Sequence, residues 1–219
     1  MNTRQKIDVM LQTIEAEYRY TQGYTGLSSL RPEVKEAMRL VPREDFVPPE
    51  LQSMAYKNSP LPIGNGQTIS QPYIVALMTD LLCPEKEDII LEIGAGSGYQ
   101  AAILSRLVKQ VYTMEIIPAL AAMAAKSLRQ MGYNNVEIRQ GDGYQGWPEQ
   151  APFDGIIVTA AVSHVPPPLK EQLKPGGRLV LPVGQPYMPQ ELMVVEKDQN
   201  GICHARNVLP VSFVPFTRE

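Results

Sequence analysis

A glycine-rich segment, residues 94–98 (the glycine segment), follows an apolar run at 89–93 near the middle of the chain. A glycine-rich loop lets the backbone turn tightly and approach a ligand closely. A dinucleotide fingerprint would need a further glycine at position 99, where this chain has Tyr99. The carboxylate of Glu92 would repel a pyrophosphate but attract the ammonium group of a methionine moiety. The segment therefore favours a nucleoside carrying an amino acid over NAD. The residues in and just before this segment that we predict to contact the ligand are Glu92, Gly94, Ala95, Gly96, Ser97 and Gly98.

Two more carboxylates lie at the end of, or just after, the next two predicted strands. Glu115 comes about twenty residues after the glycine segment, the distance at which an acidic side chain reaches ribose hydroxyls. Asp142, in Gly141-Asp142-Gly143, has a carboxylate that can accept the exocyclic amino group of adenine. The alternatives are a solvated glutamate at a strand end and an ordinary Asp-Gly turn. Together with the glycine segment, Glu115 and Asp142-Gly143 narrow the predicted ligand to S-adenosylmethionine.

The elements that must position these residues alternate along the second half of the chain. Runs such as Ile89-Ile90-Leu91-Glu92-Ile93 are almost continuously apolar, as in a parallel sheet covered by helices on both faces. Strands are predicted at 88–93, 110–115, 136–139, 153–159, 177–183 and 191–196, and helices at 99–108, 118–131 and about 168–173. The tail, 202–216, is predicted to add one or two strands, at least one antiparallel. The predicted fold class is α/β, a doubly wound, mostly parallel, Rossmann-like sheet.

The first part of the chain follows a different pattern. Apolar residues at helical spacing predict an amphipathic helix at 3–20, broken by Gly23 and Gly26, and a second from Pro32 to Leu40. The stretch 42–71 is rich in proline and glycine but carries enough apolar residues to be ordered, so we predict a partly looped active-site wall. A helix that begins near Pro72 follows. One domain, 1–219, is expected, with helices and substrate loop in 1–84 and the cofactor-binding core in 85–219.

Composition limits the kinds of partner. The formal net charge of −3 argues against a protein that holds nucleic acid through summed positive charge. The two cysteines stand far apart without a metal-binding motif, and no apolar run approaches the roughly 20 residues needed to span a bilayer. We therefore expect a cytoplasmic monomer that binds neither nucleic acid, membrane nor metal.

Two longer segments resemble one enzyme family. The segment Leu91–Ala102 is similar to the cofactor loop of the protein-L-isoaspartate O-methyltransferases, and Leu61–Pro72 is similar to the substrate loop specific to that family. Residues 157–161, 181–184 and 213–215 also match the family's pattern. The chain departs from it at Ala95, where members often have threonine, and at Asn58, where many have aspartate.

The resemblance implies methyl transfer from S-adenosylmethionine to the free carboxylate of isoaspartyl residues in damaged proteins, with D-aspartyl residues as secondary substrates and S-adenosylhomocysteine as product. It maps the family's active-site serine onto Ser70, whose hydroxyl can orient the acceptor; the alternative is that Ser70 caps the helix that follows. Thr68 and Ile69 are expected beside the cofactor. The expected substrate contacts are Asn58, Leu61, Ile63, Ser70, Thr159, Ala160 and Ala161.

Three competing functions share parts of this pattern. A methyltransferase for another acceptor would share the glycine segment and Glu115 but not the loop around Ser70. A non-catalytic module would bind S-adenosylmethionine without turnover. A nicotinamide dehydrogenase would bind NAD.

Overall fold

The computed structural model describes residues 1–185 and 188–218, and a seven-stranded sheet forms its centre. In chain order the strands are β1 (Leu61–Gly64), β2 (Gln67–Ile69), β3 (Ile89–Ile93), β4 (Gln110–Glu115), β5 (Val136–Gln140), β6 (Phe153–Val158), β7 (Leu173–Val183), β8 (Gln190–Lys197) and β9 (Cys203–Val211). The α-helices are α1 (Thr3–Thr25), α2 (Pro32–Leu40), α3 (Pro72–Leu82), α4 (Tyr99–Ser105), α5 (Pro118–Gln130) and α6 (Pro167–Glu171).

The strand order in the large sheet is β5-β4-β3-β6-β7-β8-β9. The five neighbouring strands β5, β4, β3, β6 and β7 pair in parallel. Strand β8 pairs antiparallel with both β7 and β9. The predicted α/β class with an antiparallel C-terminal strand is therefore confirmed. After β3 the chain adds β4 and β5 toward one edge of the sheet. It then returns and adds β6 on the other side of β3, toward the opposite edge. The loop after β3 thus lies at the switch point, where ligands of open α/β sheets bind.

Two apolar layers cover the sheet. Side chains of α1 to α5 pack on one face with residues such as Ile90, Ile157 and Val180. The other face packs around Leu91, Phe153 and helix α6. The near-continuous apolar runs of the central strands follow from this arrangement, because both faces of each strand are covered.

The N-terminal elements differ from prediction in two places. Helix α1 continues through Gly23 and ends at the left-handed cap Gly26. Thr21 and Thr25 in its last turns are buried. This tertiary packing offsets the cost of about 1 kcal/mol that an internal glycine adds to a helix. The predicted loop at 42–71 contains two 3₁₀ helices and the β1–β2 hairpin. The hairpin lies beside the glycine segment, where Ile63 packs near Gly96.

None of the helices in the described ranges combines the length and the apolar character that a bilayer crossing requires.

Candidate functional site

A cleft lies at the carboxyl ends of β3, β4 and β6. Its walls are the glycine segment, the β1–β2 hairpin with the residues after it, and the C-terminal segment from Val214 to Thr217. The lining residues are Gln67, Thr68, Ile69, Ser70, Val75, Ile93, Gly94, Ala95, Gly96, Ser97, Tyr99, Gln100, Met114, Glu115, Ile116, Ile117, Gly141, Gly143, Thr159, Ala160, Val214, Pro215, Phe216 and Thr217. Most of the predicted cofactor contacts are therefore brought together.

The turn at Gly94 depends on a close approach between two strand ends. The hydroxyl of Thr159, after β6, lies 2.7 Å from the carbonyl oxygen of Gly94 and 3.1 Å from that of Ile93. Gly94 has φ +97°, and a Cβ there would clash with Thr159 Oγ1. Only glycine fits both the backbone conformation and the contact. Gly98 does not line the cleft; it precedes α4 and allows Leu128 to pack against it.

Glu115 is the central polar group of the cleft. Its Oε2 accepts a 2.8 Å hydrogen bond from the Gly96 amide, and its Oε1 accepts a 2.9 Å bond from the Ile117 amide. These bonds leave lone pairs on both oxygens for a ligand's hydroxyl groups. Within the described part of the chain, Glu115 is the only charged residue that lines the cleft. Without a cation, the lining suits a neutral or cationic nucleoside better than a pyrophosphate.

An apolar slot lies beside Glu115. Ile93, Met114, Ile117 and Phe216 supply side chains suited to the faces of a planar base. Phe216 belongs to the C-terminal segment, whose contribution the sequence patterns did not predict. This segment has no periodicity of its own, and the one available signal was the match at residues 213–215 to the family's pattern.

Backbone hydrogen bonds hold the C-terminal segment against the residues that follow β6. The Ala161 amide donates to Val214 O, and the Phe216 amide donates to Ala161 O, both at 2.9 Å. Ala161 is buried and is not part of the cleft wall. Its expected role as a substrate contact is replaced by this structural one, whereas Thr159 and Ala160 do line the cleft.

Asp142 lies behind the cleft wall rather than in it. Its Oδ1 accepts from the Tyr144 amide at 2.9 Å, and its Oδ2 is 3.1 Å from Nε of Arg218. The Arg218 guanidinium lies 3.9 Å from the centre of the Tyr144 ring. Asp142 is not among the lining residues, whereas Gly141 and Gly143 are, and its contact with adenine stays a prediction. Asp142 fastens the end of the C-terminal segment.

Glu92 is completely buried and does not line the cleft. It shares its sheet face with its register neighbours Thr113 and Ile157, and among the described residues neither carboxyl oxygen has a hydrogen-bond partner of normal geometry. Burial raises the pKa of Glu92 to about 8, and the Thr113 hydroxyl offsets this only in part. The predicted attraction between Glu92 and an ammonium group is therefore wrong as a direct contact, because strand alternation turns the side chain into the core.

The raised pKa makes protein stability depend on pH. Between the ordinary value of 4.5 and about 8, the unfolded chain loses the Glu92 proton while the folded chain keeps it. Unfolding thus becomes easier as pH rises through this window. We expect Glu92→Gln to remove this dependence and, at pH 8, to raise the free energy of unfolding by on the order of 4 kcal/mol.

Urea denaturation at pH 5.5 and pH 8 measures this effect. The exposed Glu137→Gln on β5 is the matched control and should follow the original protein at both pH values. Equal stability losses with pH in the Glu92→Gln variant and the original protein would contradict the assignment.

Ser70 lies between β2 and α3 at the mouth of the cleft. Helix α3 begins at Pro72 after Gln71, and its cap comes from elsewhere in the chain: Asn58 Oδ1 accepts from the Tyr73 amide at 3.0 Å. The alternative role of Ser70 as helix cap is therefore wrong. Its half-buried hydroxyl has no hydrogen bond within the described residues. It remains available to a bound molecule.

Three other predicted substrate contacts are not among the residues that line the cleft. Leu61 and Ile63 are buried in the core and hold the hairpin in place. Asn58 lies outside the cleft, and its amide Nδ2 donates to Glu17 Oε1 at 3.3 Å. Its two bonds connect α1 to the start of α3.

Truncating Asn58 tests this capping role. We expect Asn58→Ala to lower the free energy of unfolding by about 1 kcal/mol, because the Tyr73 amide loses its acceptor. Chemical denaturation measures the change, with the exposed Asn134→Ala as the control. A loss no larger than that of the control would show that Asn58 does not cap α3.

The described residues contain no group of three His, Cys, Asp or Glu side chains placed to hold a metal ion.

Comparison with known sequences identifies similar proteins. The family model for protein-L-isoaspartate(D-aspartate) O-methyltransferase matches residues 24–219. Protein-L-isoaspartate O-methyltransferase 2 of Syntrophobacter fumaroxidans is 58% identical over 208 residues, which cover 95% of this chain and 84% of that protein. The protein of the same description from Nitrosococcus oceani is 60% identical over 208 residues, covering 95% and 94%.

Solved structures agree with these sequence matches. A protein-L-isoaspartate O-methyltransferase structure superposes with a TM-score of 0.79 at 28% identity, covering 93% of this chain and 65% of that one. A second, described as a putative enzyme of this kind from Plasmodium falciparum with S-adenosyl-L-homocysteine, has a TM-score of 0.76 at 22% identity, covering 95% and 99%. The second likeness concerns the fold alone.

Proposed function

Since the chain belongs to the protein-L-isoaspartate(D-aspartate) O-methyltransferase family, we propose that its cleft holds S-adenosylmethionine along the glycine segment and that Ser70 fixes the acceptor carboxylate. The activity of the chain is S-adenosylmethionine-dependent methyl transfer to the free carboxylate of isoaspartyl residues. The residue assignments depend on one observation: Gly96, Glu115 and Ser70 line the same cleft.

The donor set of the cleft fits this cofactor. Glu115 is free to accept the two ribose hydroxyls with its remaining lone pairs, and the apolar slot suits adenine. Backbone amides and carbonyls of the glycine segment, with Ser97 and Gln100, provide polar groups for the amino-acid end. When bound, S-adenosylmethionine supplies an activated methyl group on a sulfonium and is converted to S-adenosylhomocysteine.

The protein's contribution to the reaction is orientation. The free carboxyl group of an isoaspartyl residue is an α-carboxyl with an ordinary pKa of about 3.5, so it is already ionised at neutral pH and needs no general base. The Ser70 hydroxyl donates to one carboxylate oxygen and leaves the other to face the methyl group. Thr159 and Ala160 are small enough to let the substrate backbone come near. Fixed orientation of this kind accounts for about 7 to 11 kcal/mol of barrier reduction in well-aligned pairs.

Methyl transfer to a synthetic isoaspartyl peptide tests the function. With labelled S-adenosylmethionine, the isoaspartyl peptide should be labelled and the isomeric aspartyl peptide should not. Equal labelling of both peptides, or of neither, would contradict the proposal.

We further propose a cytoplasmic monomer that acts on protein substrates and not on nucleic acid. The formal net charge of −3 and the absence of a cation in the described lining of the cleft support the exclusion of nucleic acid. Light scattering after size exclusion tests the oligomeric state.

A further inference from the structure

A second groove continues from the cofactor cleft onto the outer surface. It shares Thr68, Ser70, Thr159 and Val214 with the cleft. One of its walls is the C-terminal half of α1, and the other is the stretch Leu209–Val214 at the end of β9, the edge strand of the sheet. A chain that places a carboxylate at Ser70 therefore continues along this groove.

The wall formed by α1 is fixed rather than loosely attached. Thr21 Oγ1 lies 2.6 Å from Tyr73 Oη, and Tyr18 Oη donates to Asp80 Oδ2 at 3.1 Å. These buried contacts tie α1 to α3, the helix that begins two residues after Ser70. Side chains on the exposed side of α1 are thus held at a set distance from the acceptor position.

Glu17 is the only charged residue among the described residues lining the groove. Its Oε1 accepts the 3.3 Å bond from Asn58, so one end of the carboxylate is positioned by a neutral amide and the charge is not cancelled. Tyr20, one turn further along α1, is 85% exposed and offers an aromatic face beside this carboxylate. A carboxylate next to an exposed aromatic ring is suited to a lysine or arginine side chain.

We propose that this groove binds the polypeptide on one side of the isoaspartyl residue and that Glu17 selects substrates with a lysine or arginine there over substrates with an acidic residue. The inference rests on the proposed function and adds a determinant of substrate choice to it. Glu17 contacts the flanking chain, not the reacting atoms. Its half-exposed position limits the effect, and we expect about a tenfold preference for a lysine-flanked over a glutamate-flanked peptide.

The test compares isoaspartyl peptides that differ only in one flanking residue, Lys, Gln or Glu, placed on either side. Values of kcat/KM are measured for the original protein, Glu17→Gln and Glu17→Lys, with the exposed Glu50→Gln as a control of equal charge change. On one side, the preference should be about tenfold in the original protein and in the control, near one in Glu17→Gln, and reversed in Glu17→Lys. An unchanged preference in Glu17→Gln, or no preference in the original protein, would overturn the inference.

Peptide binding separates this inference from the catalytic proposal. Fluorescence anisotropy with S-adenosylhomocysteine present measures the affinity of the same peptides without turnover. Binding in the expected order without methyl transfer would support the groove while contradicting the function. Methyl transfer that ignores the flanking charge would do the opposite. Thermal denaturation of both Glu17 variants identifies any loss of folded protein.

Discussion

Replacing Glu115 with glutamine is expected to weaken binding of S-adenosylhomocysteine by about two orders of magnitude. The carboxylate accepts from the Gly96 and Ile117 amides with its two oxygens. Glutamine has one oxygen and one NH₂ group, so one of these amides would face a donor instead of an acceptor. A hydrogen bond to a charged group contributes about 1.5 to 3 kcal/mol, and roughly 1.4 kcal/mol corresponds to tenfold in affinity. Loss of the loop contact and of a ribose contact together gives the expected change.

Isothermal titration calorimetry measures this affinity directly. The Glu137→Gln variant, on the neighbouring strand and exposed, has the same change in chemistry away from the cleft and should bind as the original protein does. If Glu115→Gln binds S-adenosylhomocysteine with an affinity within threefold of the original protein's, a difference of roughly 0.7 kcal/mol, Glu115 does not hold the ribose.

For Ser70→Ala we expect kcat/KM toward an isoaspartyl peptide to fall by about 10- to 100-fold, with cofactor affinity unchanged. The loss corresponds to one hydrogen bond to a charged carboxylate. Because Asn58 caps α3 and Ser70 makes no hydrogen bond in the described residues, the free energy of unfolding should change by less than about 0.5 kcal/mol.

Steady-state kinetics, calorimetry and denaturation together check the three parts of this prediction. Ser53→Ala, an exposed serine in the 3₁₀ helix Pro49–Met54, is the matched control. A fall in stability comparable to the fall in activity would indicate a structural role for Ser70. Unchanged kinetics would remove it from the acceptor site.

These two residues differ in how far their roles followed from the sequence. Glu115 was predicted from its position at the end of the predicted strand 110–115, because parallel strands end at the same sheet edge as the glycine segment. The structure adds that its carboxylate also supports the glycine segment. For Ser70 the local pattern allowed two roles, and only the contact between Asn58 and Tyr73, fifteen residues apart, excluded the helix cap.

The amino-acid pattern by itself determined the parallel sheet, the glycine turn and the approximate limits of most elements, because these depend on periodicity and backbone freedom within a few residues. The tertiary structure alone decided that Glu92 is buried, that Asp142 pairs with Arg218, and that the C-terminal segment forms a cleft wall. Each of these depends on contacts between residues far apart in the chain. A side chain's pKa, burial and partners are set by such neighbours, which no local pattern contains.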